Sequence, residues 1–267
     1  MTPFSWPLFK KKAPVIGIAL GGGAARGIAH LGVLLALEEL NAPIHMISGV
    51  SSGALIGGLY AAGVPVKSLI SRLSSLNWRS FTSFHLSKRG MVSSARIQAL
   101  VESFVGKIEV QQCPIPFLPV ATNICSGESR VFYQSAHRLS VVIRASVSFP
   151  GVYPPVPIDD GHYIDGGVNQ NVPVAPLIDH GATQTVGVDV IPHLTIDNVP
   201  THIPLIVDRA LDLMLVNQHR HNPAPDLLLC PLKSQVSSFD MKAYHQLVEW
   251  GYQSVMAHRA WFGQWRQ

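Results

Sequence analysis

The chain has 267 residues, 47% of them hydrophobic and only 13% charged, with a formal net charge of +4. That length buries a full core without disulfide or metal staples, and the composition excludes a disordered chain, a coiled coil and a strongly charged nucleic-acid arm. Charged residues stand at about half the usual ~25%, so much of the chain faces apolar surroundings.

The positive excess is read first as solubility and second as attraction to an anionic membrane surface; its one tight run is Lys10-Lys11-Lys12. Met1 to Lys12 places its apolar residues ahead of the lysines, the reverse of a secretory signal. The cysteines, Cys113, Cys125 and Cys230, form no Cys-x-x-Cys, which argues against a zinc site and a disulfide framework. Together these features predict a cytoplasmic chain, with peripheral membrane contact as an added expectation.

In chain order, Val15 to Leu20 reads as a buried strand, broken by Gly21 to Gly23 and followed by a helix from Gly27 to Leu40. His45 to Ser48 is a second strand. Ser52 to Ala62 is a helix stopped by Gly63, with Pro65 beyond. Met46 to Val66 carries no charge over 21 residues, but its five glycines, three serines and Pro65 fit strand, turn and buried helix better than a membrane span. This β-loop-α-β-turn-α start predicts a single α/β domain, with a mostly parallel central sheet flanked by helices.

Lys67 to Leu76 and Ala95 to Val105 are predicted helical. Between them, Asn77 to Val92 is irregular and carries Trp78, Phe81 and Phe84, either as a flap over a site or as core packing. Pro119 to Ile124 and Arg130 to Gln134 form a predicted hairpin, and Ser135 is expected to cap a helix running to Ser146. Val156 to Ile158 and His162 to Ile164 form another hairpin, after an irregular Phe149 to Pro157. Thr185 to Val190 is a further strand, and helices are expected over Leu205 to His219 and Met241 to Trp265. The domain divides into an N-terminal extension (1–14), a core (15–190) and a helical C-terminal part (191–267).

Two glycine-rich turns carry chemistry. Gly21-Gly22-Gly23-Ala24-Ala25-Arg26-Gly27 lies between strand and helix, yet fits neither the dinucleotide fingerprint nor a phosphate loop ending in Gly-Lys-Ser/Thr. It remains either a tight turn or a set of backbone N–H groups converging at a helix N-terminus, suited to an oxyanion. Gly49-Val50-Ser51-Ser52-Gly53 is Gly-x-Ser-x-Gly in a strand-turn-helix setting, which exposes a nucleophilic hydroxyl at Ser51. Ser52, outside the central place, is the weaker candidate.

A serine nucleophile needs a base. In a Ser–His–Asp esterase, Asp189 or Asp226 with His245 or His258 could fill the remaining places, though nothing local marks them. The most marked acid is Asp165, in Ile164-Asp165-Gly166-Gly167 at a strand end, where it is either a turn aspartate or a functional one.

In these places the chain resembles the patatin-like phospholipase family. The likeness rests on Gly22 to Gly27, Gly49 to Gly53 and Asp165 to Gly167, in that order, with Arg144-Ala145-Ser146 and Phe149-Pro150-Gly151 before the aspartate strand. It runs from Val15 to about Val190. The resemblance implies a Ser51–Asp165 dyad without a catalytic histidine, an acyl-serine intermediate, and an oxyanion held by backbone N–H groups of Gly22, Gly23 and Ala24. Arg26, Gly27, Gly49, Gly53, Gly166 and Gly167 take supporting roles. Many relatives carry a third glycine where this chain has Ala24, and alanine avoids positive φ.

The chemistry requires Asp165 to be hydrogen-bonded to Ser51 and partly desolvated, the desolvation moving its pKa toward neutrality. The implied activity is hydrolysis of lipid or other acyl esters, of phospholipase A or lysophospholipase type, with no cofactor, no metal and no nucleic-acid partner. The two other readings are a Ser–His–Asp esterase and an inactive relative that binds or regulates. The C-terminal aromatics Tyr244, Trp250, Tyr252, Trp261, Phe262 and Trp265 are expected either in the core or at a membrane interface.

Overall fold

The structure, a computed structural model, describes residues 13–265 apart from 82, 88–89, 197–198 and 219–221. The expectations for Met1 to Lys12 therefore lie outside the described residues.

Strand β1 (Ile16–Leu20) is buried along its whole length and is an interior strand of the sheet. Near-continuous apolar runs of this kind suit parallel strands covered on both faces. Helix α1 (Ala29–Glu39), strand β2 (Met46–Gly49) and helix α2 (Ser52–Ala61) follow. Gly63, at φ 89°, ends α2 in the left-handed conformation that glycine accepts. The segment after β1 begins with a 3-10 turn over Ala24–Ile28 before α1 proper, where a continuous helix from Gly27 was expected.

Helices α3 (Val66–Ser74) and α4 (Trp78–Phe81) lead into a separate two-stranded ribbon, β3 (Ser83–Ser87) with β4 (Gly90–Ser93). The stretch read as irregular is thus a short helix and a hairpin. Phe81 packs against the core, while the side chains of Trp78 and Phe84 lie outside the described residues. Helix α5 (Ala95–Val105) is followed by strand β5 (Phe117–Asn123), strand β6 (Ser129–Val131) and helix α6 (Leu139–Ser146). Ser135 does not cap α6, which starts three residues further on than that reading allows; its hydroxyl bonds to His137 instead.

Strands β7 (Val156–Ile158) and β8 (Gly161–Asp165), helix α7 (Ala175–Asp179), strand β9 (Gln184–Val188), helix α8 (Ile203–Asn217), strand β10 (Leu227–Leu229) and helices α9 (Tyr244–Met256) and α10 (Arg259–Gly263) complete the chain. The sheet order is β10-β9-β1-β2-β5-β8-β7. From β10 to β5 all pairings are parallel; β6 and β8 run antiparallel to β5, and β7 antiparallel to β8. Strand β10, which the sequence reading missed, ties the C-terminal part into the same sheet.

Alternation along β1 sends Ile16, Ile18 and Leu20 into the larger core and Ala19 into a smaller one formed with Leu118, Val172 and Leu177. Helix α9 lies backbone-to-backbone on α1: a Cβ at Gly251 would strike the Ala29 carbonyl, and one at Gly32 would strike Val248. Tyr244, Phe262 and Trp265 are buried in the larger core, with Trp250, Tyr252 and Trp261 packed partly buried against it. The C-terminal aromatic stripe is core, and the membrane-interface reading of those residues is set aside.

Candidate active site

The sheet brings Ser51 and Asp165 to one place. Gly49 on β2 pairs with Pro119 on β5, while Asp165 on β8 pairs with Ala121 of the same strand. Two residues past Gly49 the chain reaches Ser51. The hydroxyl and the carboxylate therefore stand at one level of β5, approached from its two sides.

Ser51 occupies a sharp bend at φ 53°, ψ −123°, as the residue preceding α2. A non-glycine residue at positive φ is strained, and the surrounding packing must enforce it. Several contacts do so. Ser51 N–H donates to Ser146 Oγ at 3.1 Å, and that hydroxyl donates to Val120 O at 2.7 Å. Val50 N–H donates to Leu20 O at 3.1 Å, and Gly53 N–H to Val50 O at 2.8 Å. Gly53 has to be glycine because a Cβ there would run into the Leu20 carbonyl. Gly49 is held as tightly, with Ala54 Cα 2.9 Å from where its Cβ would lie. Ser52 Oγ is enclosed with no hydrogen bond, where a side chain at Gly27 would strike it.

Asp165 ends β8 at only 3% exposure. Its N–H donates to Ser148 O at 3.0 Å, and its Oδ1 accepts the Gly167 N–H at 2.8 Å. Gly166 lies against the Val120 carbonyl. Burial pushes the Asp165 carboxyl up to about 6, while the Ser51 hydroxyl and the Gly167 N–H favour the charged form and limit the rise. Among the described residues, Asp165 Oδ2 is buried without a hydrogen bond of normal geometry, so the approach of Ser51 is a loose one. Loose contacts of this type are common in catalytic pairs before substrate arrives.

The glycine-rich loop rests directly on the serine: a Cβ on Gly22 would lie 2.9 Å from Ser51 Cβ and 2.9 Å from Asn171 Oδ1. The Gly22 N–H, however, is already taken by Asn171, through its carbonyl at 3.3 Å and its Oδ1 at 3.2 Å. That corrects the expected donor set and leaves the N–H groups of Gly23 and Ala24. Ala24 adopts φ 51°, so the loop imposes the glycine-like conformation on alanine.

Arg26 is 2% exposed. It makes a paired contact with Asp212 on α8, Nη1 to Oδ2 at 2.9 Å and Nη2 to Oδ1 at 2.7 Å, and its Nε reaches Gly23 O at 3.4 Å. Asp208 stands 3.9 Å from Nη2 and also accepts from Ser238 Oγ at 2.5 Å. Beneath the loop, His30 Nε2 bonds to Gly21 O at 2.8 Å; burial lowers this imidazole to about 4, so it is a neutral donor.

The groups considered for a Ser–His–Asp arrangement lie elsewhere. Asp226 accepts from the Thr185 N–H and hydroxyl, His258 bonds to Ser254 O, and His245 sits exposed against the Tyr244 ring. Asp189 pairs with His193 at 2.6 Å, a histidine the sequence reading did not single out.

Residues 18–178 match the family model of patatin-like phospholipases, which covers more than half of the chain. The chain belongs to the patatin-like phospholipase family. It is 36% identical over 179 residues to an uncharacterized NTE family protein of Mycobacterium tuberculosis, covering 66% of this chain and 49% of that protein. It is 31% identical over 240 residues to the lysophospholipase nte1 of Emericella nidulans, covering 84% of this chain and 14% of that protein. The chain thus spans about half the length of its mycobacterial relatives and a small part of the fungal ones. Among solved structures, VipD from Legionella pneumophila shares the fold, with a TM-score of 0.67 at 13% identity over 93% of this chain and 67% of that one.

Within this family fold, several contacts around the site escaped sequence reasoning. Asn171 clamps Gly22 from both sides, its Nδ2 donating to Gly22 O at 3.2 Å. Gln218, just past α8, accepts from Asn171 N–H at 2.9 Å and donates to Gly167 O at 2.8 Å. Ser146 and Ser148 hold the backbones of Ser51 and Asp165. The Arg144-Ala145-Ser146 stretch was the only available signal for these, and it carried no role by itself.

Proposed function

We propose that this chain is a lipid acyl hydrolase of phospholipase A or lysophospholipase type, working through Ser51 and Asp165. The observation that carries this reading is the strained Ser51 elbow beside a buried carboxyl raised to about 6. A carboxyl with that pKa accepts a proton from serine far more readily than an ordinary aspartate.

In this scheme Ser51 Oγ attacks the ester carbonyl and its proton passes to Asp165. The oxyanion is held by the backbone N–H groups of Gly23 and Ala24, at the start of the helical segment. Such donors are worth about 10²–10³ in rate each. Asp165 then returns the proton to the leaving alcohol, giving an acyl-Ser51 ester. Water, deprotonated by Asp165, attacks that ester, and as the acyl–oxygen bond breaks Asp165 returns the proton to Ser51 Oγ, releasing the acid and restoring the free serine. These steps draw only on serine, aspartate, backbone and water. The lipid character of the acyl ester is inferred from family membership and from the fungal relatives described as lysophospholipases.

Labelling with a fluorophosphonate followed by peptide mapping tests the proposal. The expected result is one adduct, on Ser51, absent in Ser51→Ala along with ester hydrolysis. An unlabelled chain, or an adduct on another serine, overturns it; the former outcome would favour a binding or regulatory role.

A further inference from the structure

Helix α8 is turned against the usual pattern of a surface helix. Its acids, Asp208 and Asp212, face inward, buried at 9% and 3% exposure beside Arg26. Five of its apolar side chains face outward: Ile203 is 77% exposed, Ile206 47%, Val207 50%, Leu213 49% and Met214 65%. Their spacing of three, four and seven residues puts them on one stripe of the helix. Soluble monomers rarely leave such apolar surface uncovered without a use for it.

What covers the stripe follows from its charge and its position. The acids of α8 are turned onto Arg26, so its outer side presents no carboxylate. The one remaining charged side chain of the helix, Arg209, is basic, in a chain of net charge +4. A surface of this kind suits an anionic partner with an apolar interior. The stripe also runs up to the candidate active site: Gln218 donates to the carbonyls of Gly167 and Val168, and Val168 is itself 46% exposed beside the Asp165 turn. No helix among the described residues is long and apolar enough to cross a membrane. A 15-residue helix with one apolar face lies in the plane of an interface instead.

We propose that α8 docks this protein on an anionic phospholipid bilayer, its Ile206–Met214 face seated among the acyl chains next to the site that draws lipid from it. This rests on the reading of the site as a lipid acyl hydrolase. The inner side of the same helix meets the Gly-rich loop through Asp212 and Arg26, and Gln218 just past its end holds the aspartate turn, so the element that meets the lipid also braces both halves of the site.

The test uses the full chain carrying Ile206→Gln with Met214→Gln, compared with the parent and with Ile206→Leu/Met214→Leu. Partition onto phosphatidylcholine vesicles containing phosphatidylglycerol is measured, along with hydrolysis of vesicle lipid and of a dispersed short-chain ester. The glutamine variant is expected to lose about tenfold or more in partition, and vesicle-lipid hydrolysis falls with it, since transfer of two partly exposed apolar side chains is removed. The leucine variant partitions like the parent, and short-chain ester hydrolysis stays within about twofold in both. Thermal unfolding checks the fold, with Met214→Gln alone as the milder variant. Unchanged vesicle partition in the glutamine variant overturns the proposal. So does a glutamine variant whose only change is conversion of a dimer to a monomer by light scattering, which would assign the face to a second copy. A parent that partitions onto vesicles but hydrolyses neither substrate would instead count against the hydrolase reading.

Discussion

Helices α2 and α8 both border the site and both are rich in apolar residues, yet the fold uses them in opposite ways. Helix α2 is enclosed, with Gly53 through Leu59 and Ala61 buried, and it is fixed by backbone contacts that tolerate only glycine. Helix α8 is fixed by side chains on one face, Asp212 on Arg26 with Asp208 close by, while Ile203, Ile206, Val207, Leu213 and Met214 are exposed to solvent. The comparison shows that apolar content does not tell a helix which way to turn. Where a buried cation waits on one side, a pair of acids one turn apart sets the orientation, because leaving that cation unpaired costs more than exposing several aliphatic side chains.

The strongest way to break this contrast is on the enclosed side. Asp165→Asn should lower ester turnover by roughly 10²–10⁴ while keeping the fold. In the parent, turnover should fall tenfold per pH unit below about 6, because the base must be ionised, and a pH–rate profile checks that limb. The stability sign runs the other way. Asp165 has its folded pKa raised above the usual carboxylate value, so its contribution is full below about pH 4 and is lost as pH rises through about 6. The asparagine variant should therefore be more stable than the parent at pH 7, by on the order of 2–3 kcal/mol. A variant that is inactive and also less stable would mean Asp165 is a structural residue.

Next in size is the ion pair that orients α8. Asp212→Ala leaves Arg26 buried with only the more distant Asp208, and should cost about 3 kcal/mol in denaturant unfolding. Arg26→Met combined with Asp212→Leu should recover most of that loss, since a matched apolar pair replaces a buried ion pair at little cost. If the double variant is also fully active, the pair holds α8 in place but does not position the oxyanion loop.

The smallest effect sharpens the boundary between the two regions. Ala24 sits at φ 51° between the buried strand and Arg26. Ala24→Gly should stabilise by about 1 kcal/mol, as relief of left-handed strain outweighs the added freedom of the unfolded chain. Thermal unfolding reads it, and a loss of stability would show that the alanine methyl group contributes packing worth more than the strain.

Much of the enclosed region was legible in the sequence because its constraints are local. A serine on a sharp elbow needs small neighbours within two residues, so Gly49-Val50-Ser51-Ser52-Gly53 announces itself, as do the short apolar runs of β1 and β2. Asp165 was marked by the glycines after it, although its partner came only by resemblance. The occupied Gly22 donor was not legible, since Asn171 lies on a distant segment and nothing in its neighbourhood signals a clamp. Strand β10 is three leucines, Leu227–Leu229, too short for periodicity to reveal. The C-terminal aromatics read as readily for an interface as for a core, and α9 packing on α1 through Gly32 and Gly251 decided for the core.

The sequence alone determined the class of fold, the identity of the nucleophile candidate and the acid most marked to serve it, because glycine-enforced turns and buried strands are written in neighbouring residues. Only the tertiary structure decided how strongly Asp165 is desolvated, which backbone N–H groups remain available, and which side of α8 meets the solvent. Each of those depends on groups that come together across the chain, where burial and charge pairing act over distance in space and leave no pattern in the order of the residues.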